Sequence, residues 1–158
     1  MPTFSTRRSV PYSPRQMFDL VADVEKYPQF LPLCEGLTVR TREQLAAAEV
    51  LIASMTVGYK AIRESFTSRV TLQPAAPEIM VEYIDGPFKV MKNRWQFLGR
   101  ADGGTDVDFW ITYEFRSPLF SMLLGALFDT AFRKFAEAFE ARARQVYGKP
   151  AARDVAAS

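Results

Sequence analysis

The 158-residue chain contains no histidine. That absence removes a Ser-His-Asp triad, a Cys-His pair, a histidine-ligated zinc and a histidine general base. A single cysteine, Cys34, excludes an internal disulfide and a cysteine metal cluster. It reads as a small core hydrophobe. An excess of one charge is also missing. A net charge of +2 is too small to argue for a nucleic-acid protein, and no DNA partner is expected. Long hydrophobic runs are absent too. The longest, Pro118–Phe128, would cover ~16 Å against ~30 Å of hydrocarbon. The polar stretch Thr3–Ser9 follows the start directly, so no signal peptide is expected. These absences predict a protein of the cytoplasm, or one peripheral to a membrane.

What is present is apolar and aromatic. Apolar residues make up 48% of the chain, thirteen of them Phe, enough for one domain with a sizeable core. That domain is expected over residues 1–149, with 150–158 as a frayed tail. The chain is organised around its last helix, Ser117 to about Tyr147. Ser117 is a suitable N-cap, Pro118 fits the first helical position, and Gly148 and Pro150 supply the stop. The second half is amphipathic, with Phe132, Phe135, Phe139 and Val146 at helical spacing and charges opposite. The first half, Pro118–Phe128, is apolar nearly all round and predicts cover on more than one side.

Upstream, Phe4–Val10 reads as a strand. Ser13-Pro14-Arg15-Gln16 is a capping-box pattern opening a helix that stops before Pro28. Asp23 to Cys34 follows as a Pro-broken connector carrying Tyr27, Phe30, Leu31 and Leu33. Such a segment either plugs one end of a core or forms the mouth of a pocket. Strand patterns then cover Leu37–Arg42, Ala46–Val57, Ala61–Leu72, Ile79–Ile84, Phe88–Leu98 and Asp106–Phe115. Gly58, Pro74 with Pro77, Asp85-Gly86-Pro87 and Asp102-Gly103-Gly104 mark the turns. Hairpin-length connections predict an antiparallel meander. A long helix against a long curved antiparallel sheet is an α+β sandwich, and the curl leaves space between the layers.

Few residues stand out chemically. On Phe88–Leu98 the parity Met91, Asn93, Trp95, Phe97 is placed inward. Asn93 is then either an amide bonded to backbone or a polar anchor for a ligand carbonyl or hydroxyl. Glu64 and Ser68 share a face with Ile62, Phe66, Val70 and Leu72. A carboxylate there either reaches an arginine at the rim or lines a solvated pocket. Arg63 and Arg69 decorate the opposite face. A cavity is expected between the sheet and the apolar half of the last helix. Its expected lining is Trp95, Phe97, Tyr113, Leu123, Leu127 and Phe128, with Phe30 and Leu33 near its mouth.

Asp23-Val-Glu-Lys-Tyr-Pro-Gln-Phe-Leu-Pro-Leu-Cys34 resembles the signature of the coenzyme Q-binding START-like family. Further blocks agree in order: Glu64–Val70, Asp85–Lys89 with Asn93–Phe97, Tyr113–Phe115, Ala138–Arg142 and Val146–Gly148. The family contains mitochondrial coenzyme Q-binding proteins and bacterial ribosome association toxins. The resemblance implies a helix-grip fold, with a curved antiparallel sheet around a long C-terminal helix. It also implies non-catalytic binding of a polyprenyl quinone such as ubiquinone, in support of respiration and quinone synthesis. Two alternatives follow from the same family and fold: a ribosome partner, with inhibition of subunit joining, and a polyketide cyclase or aromatase activity. The lack of histidine weighs against the enzyme, and the weak net charge weighs against the ribosome. A quinone ligand further implies peripheral membrane contact, expected at Tyr27, Phe30, Leu31 and Leu33 beside Phe120, Leu123 and Leu124.

Overall fold

Alternation along the chain becomes alternation across a sheet in the computed structural model, which describes residues 3–148. The expected tail at 150–158 lies outside the described residues. The elements run β1 (Thr3–Val10), α1 (Pro14–Ala22), a 3-10 segment (Val24–Gln29), β2 (Cys34–Gln44), β3 (Glu49–Tyr59), β4 (Ile62–Gln73), β5 (Glu78–Asp85), β6 (Phe88–Gly99), β7 (Thr105–Phe115) and α2 (Pro118–Tyr147). The strands form one antiparallel sheet in the order β1-β7-β6-β5-β4-β3-β2. Only the step from β1 to β2 crosses the sheet, and it carries α1 and the 3-10 segment. This is the α+β helix-grip architecture.

β7 shows why the residues choose their faces. Val107, Phe109, Ile111, Tyr113 and Phe115 are all buried beneath α2, while the residues between them stay partly exposed. β6 follows the same parity from Met91 to Phe97. A register shift between Phe88 and Val90 then returns Phe88 to the inner face, where it is fully buried. Further shifts at Cys34/Gly36, Val39/Thr41 and Thr67/Ser68 interrupt the ladders. Bulges of this kind bend strands and increase twist, which is how the sheet curls round the helix.

α1 opens on the capping box: the Gln16 amide donates to Ser13 Oγ at 3.1 Å, and the Ser13 amide to Gln16 Oε1 at 3.0 Å. α2 opens on Ser117, whose Oγ accepts from the Phe120 amide at 3.3 Å, and stops at Gly148 with φ of 72°. Gly58 does not mark a turn as expected. It lies inside β3, and the reversal falls at Lys60, with φ of 55°. A side chain at position 58 would start 2.3 Å from Glu35 Oε2, so the glycine makes room for the Glu35–Arg63 pair.

Candidate ligand-binding site

The curl of the sheet leaves a cavity of about 90 Å³ against α2. Val70, Met91 and Trp95 contribute from the sheet, Phe128 and Phe132 from α2, and Leu31 from the connector. Four described lining residues carry a side-chain nitrogen or oxygen: Tyr27, Ser68, Asn93 and Trp95, whose indole N–H has no protein acceptor among the described residues. The Tyr27 hydroxyl is committed, donating to the Val21 carbonyl, and burial raises its phenol above the ordinary range. Ser68 and Asn93 are buried residues, 6% and 8% exposed. Asn93 Nδ2 donates to the Trp110 carbonyl of β7 at 2.9 Å. Its oxygen has no protein donor among the described residues, and neither does the Ser68 hydroxyl have a partner. No sealed side-chain nitrogen or oxygen lacks a partner in that set, so both atoms reach open space. Because both residues line the cavity, that space is the cavity. An amide and a hydroxyl in an apolar chamber can orient a ligand. They do not make an acid–base pair.

A satellite cavity of about 10 Å³ adjoins it, bordered by Leu33, Val57, Tyr59, Ile62, Glu64, Leu124 and Phe128. Leu33 and Phe128 border both spaces. Leu33 holds a left-handed backbone, with φ of 67°, a conformation costly for a branched side chain. Of the two readings of Glu64, the pocket is the one found. Its carboxylate has no ion pair or hydrogen bond among the described residues, and the neighbouring Arg63 pairs with Glu35 at 2.6 Å.

The expected lining divides. Asn93, Trp95, Leu33 and Phe128 border the main cavity, and Glu64 borders its satellite. Phe97 is buried elsewhere, stacked beyond Trp95 with Phe18 edge-on at 5.9 Å. Tyr113 is a wedge under α2, with its ring 5.0 Å from Phe132 and its hydroxyl directed at the Gly125 carbonyl. Burial raises its phenol too. Leu127 is half-buried against the same cluster. Leu123 does not line the cavity: it is 58% exposed, because the helix presents Leu124 and Phe128 to the sheet instead. Phe30 packs 5.1 Å from Phe139, under the Arg142 guanidinium. The connector is mainly core, since Tyr27 and Leu31 are buried. Of the expected membrane surface, Tyr27, Leu31 and Leu124 are therefore withdrawn into the core, and Leu123 is the member left exposed. Single exposed apolar side chains are scattered over the described residues at Leu45, Tyr59, Ile84, Leu98 and Val146, whereas Leu119, Met122 and Leu123, at 57%, 76% and 58%, lie together at the start of α2. The all-round cover expected for the first half of α2 is thus missing on one side.

Sequence reasoning placed Ser68 on the inner face but did not single it out. The signal was there: a small polar residue at an inward position between Phe66 and Val70.

Residues 10–140 match the family described as polyketide cyclase / dehydrase and lipid transport. The Escherichia coli K12 protein named ribosome association toxin RatA is 34% identical over 149 residues, 93% of this chain and 90% of its own. The Xenopus laevis protein named coenzyme Q-binding protein COQ10 homolog B, mitochondrial, is 29% identical over 150 residues, 92% of this chain and 59% of its own. The solution structure of an 18 kDa Caulobacter crescentus protein is 36% identical, with a TM-score of 0.77, covering 94% of this chain and 100% of that one. The matched span contains every described residue that borders the two cavities, and the chain belongs to the polyketide cyclase / dehydrase and lipid transport family.

Proposed function

We propose that this chain is a non-catalytic binder of a polyprenyl quinone such as ubiquinone, serving respiratory electron transport and quinone synthesis. The observation that carries the reading is the apolar cavity with Ser68, Asn93 and the Trp95 indole N–H as its uncommitted polar groups. A quinone ring has apolar faces and polar edges, which suits a chamber of this composition. The tail would leave past Leu33 and Phe128 toward the satellite cavity. The relative named for coenzyme Q binding supports the reading.

A cavity of about 90 Å³ is well short of the roughly 300–1,000 Å³ of drug-sized sites. Binding therefore requires the first half of α2 to move. That half is the one that leaves three large apolar side chains in water. A polyprenyl tail gains ~0.8 kcal/mol per buried CH₂ and will not cross water unaided at a useful rate. Loading then takes place at a membrane, and the face carrying Leu119, Met122 and Leu123 is the surface that enters it. No helix among the described residues is long and apolar enough to span a bilayer.

Organic extraction of the protein purified from its native host, with mass spectrometry of the extract, tests the reading. A polyprenyl quinone near one per chain is expected. An extract of phospholipid alone, or of nothing, overturns it.

A second reading has support of its own. The relatives named for ribosome association are 34% identical over nearly their whole length. On that reading the chain would inhibit joining of ribosomal subunits. Polysome profiles with purified protein at physiological salt decide between the two. Dose-dependent loss of joined subunits at stoichiometric protein would favour the ribosome.

A further inference from the structure

We infer that the cavity is built to receive a hydroxyl donor on an apolar ring, and that a quinone ligand is held preferentially in its reduced quinol form. The inference rests on the quinone reading above.

Asn93 sets the preference. Its amide has two ends, and the Trp110 carbonyl decides which one faces the sheet. Turning the amide over would set Oδ1 against that carbonyl oxygen, two acceptors facing each other without a proton. The nitrogen is therefore held on β7, and the oxygen is what the cavity receives. No protein donor reaches that oxygen among the described residues.

The other polar groups do not reverse that preference. Tyr27 and Tyr113 are the phenols near the cavity that could have donated to a ligand carbonyl. Both are turned onto backbone carbonyls, of Val21 and Gly125. Glu64, at the satellite cavity, is an acceptor as a carboxylate. Ser68 is the one hydroxyl free to act either way. The free donors, the Ser68 hydroxyl and the Trp95 indole N–H, serve a quinone carbonyl and a quinol oxygen alike, so Asn93 Oδ1 is the group that tells the two forms apart.

A quinone oxygen only accepts, whereas a quinol oxygen also donates. Seated against Asn93 Oδ1, a quinone carbonyl leaves two acceptors facing each other away from water. The remaining N–H of Asn93 sits on the nitrogen already directed at Trp110. A quinol hydroxyl in the same place makes a hydrogen bond. The difference is that between a satisfied and an unsatisfied buried acceptor, roughly tenfold in affinity.

The test uses decyl-tailed ubiquinone and its quinol under anaerobic conditions, with equilibrium dialysis against the full chain. The quinol is expected to bind roughly tenfold tighter. Asn93→Leu is expected to bring the two forms within about twofold, chiefly by weakening the quinol. The dimethyl ether of the quinol, which keeps the ring but has no donor, is expected to bind wild type no better than the quinone does. That probe stands even if Asn93→Leu fails to fold. Equal binding, or tighter quinone, in wild type overturns this inference and leaves the quinone reading intact. A preference that survives in folded Asn93→Leu, or a dimethyl ether that binds like the quinol, also overturns it. Failure of every form to bind overturns the quinone reading itself.

Discussion

The two halves of α2 lie on the same sheet and are held by very different means. In the second half Phe139 and Ala143 are fully buried. The Phe139 ring meets Tyr27, Phe30 and Trp95 edge-on at 5.1–5.3 Å. Arg8 pairs with Glu140 at 2.6 Å, the Tyr12 hydroxyl donates to the Gly148 carbonyl at 2.7 Å, and the Tyr147 hydroxyl to the Gln16 carbonyl at 2.8 Å. The first half is the more apolar in composition and the less buried in fact. Its fully inserted side chains are Leu124 and Phe128, and Leu119, Met122 and Leu123 remain in water. A high apolar content does not measure attachment. The amphipathic half identifies the anchor, and the surplus apolar surface of the other half is left in water, where we propose the membrane contact.

The sharpest way to break this contrast is to truncate one side chain in each half. Phe139→Ala is expected to cost about 3–5 kcal/mol in denaturant unfolding, from lost burial and the cavity left behind. Met122→Ala and Leu123→Ala are expected to stay within about 0.5 kcal/mol of wild type. Similar losses at the two ends would remove the distinction.

A second experiment asks what the exposed face is for. Met122→Asp with Leu123→Asp is expected to lower flotation with vesicles containing anionic lipid by more than about tenfold. Each apolar side chain withdrawn from lipid forfeits roughly 1.5–3 kcal/mol. The thermal midpoint should hardly move. Unchanged flotation of the folded double variant would mean that this face meets something other than a membrane.

The anchor half was legible in the sequence, as were its ends. Ser117, Gly148 and the Phe132–Phe139 spacing are local signals, and local signals survive folding. Strand parity was legible too, which is why Asn93 and Glu64 were placed on the inner face correctly. Depth along that face was not. Phe97 and Trp95 share a parity, yet only Trp95 borders the cavity, because α1 brings Phe18 against Phe97. Leu123 and Leu124 adjoin in the chain and differ fully in exposure, 58% against 4%, because the helix rotation depends on where β7 delivers the chain. Bulges such as the one that returns Phe88 to the core leave no mark in a period-two pattern. Gly58 read as a turn because its partner, the Glu35 carboxylate, lies across the sheet rather than along the chain.

A smaller effect concerns the polar anchor. Asn93→Leu is expected to keep the fold and weaken quinol binding by ~0.5–1.5 kcal/mol, about 2- to 12-fold in dialysis. Unchanged affinity would leave Asn93 as a tie between β6 and β7. Smaller still is a pH effect at Cys34, which packs in the anchored cluster. Burial pushes its thiol up to about 11 from 9.0. The folded chain then keeps a proton that the unfolded chain has lost, so stability falls as pH rises through that window. Cys34→Ala should show a shallower decline between pH 9 and 11 than wild type does. Parallel curves would show that Cys34 ionises as freely folded as unfolded.

Amide hydrogen exchange along α2, with and without decyl-ubiquinol, tests the central contrast most directly. Residues 118–128 are expected to exchange at least an order of magnitude faster than residues 135–147 in the free protein, and they alone are expected to slow markedly on adding ligand. Uniform protection along the helix, unaltered by ligand, would contradict it.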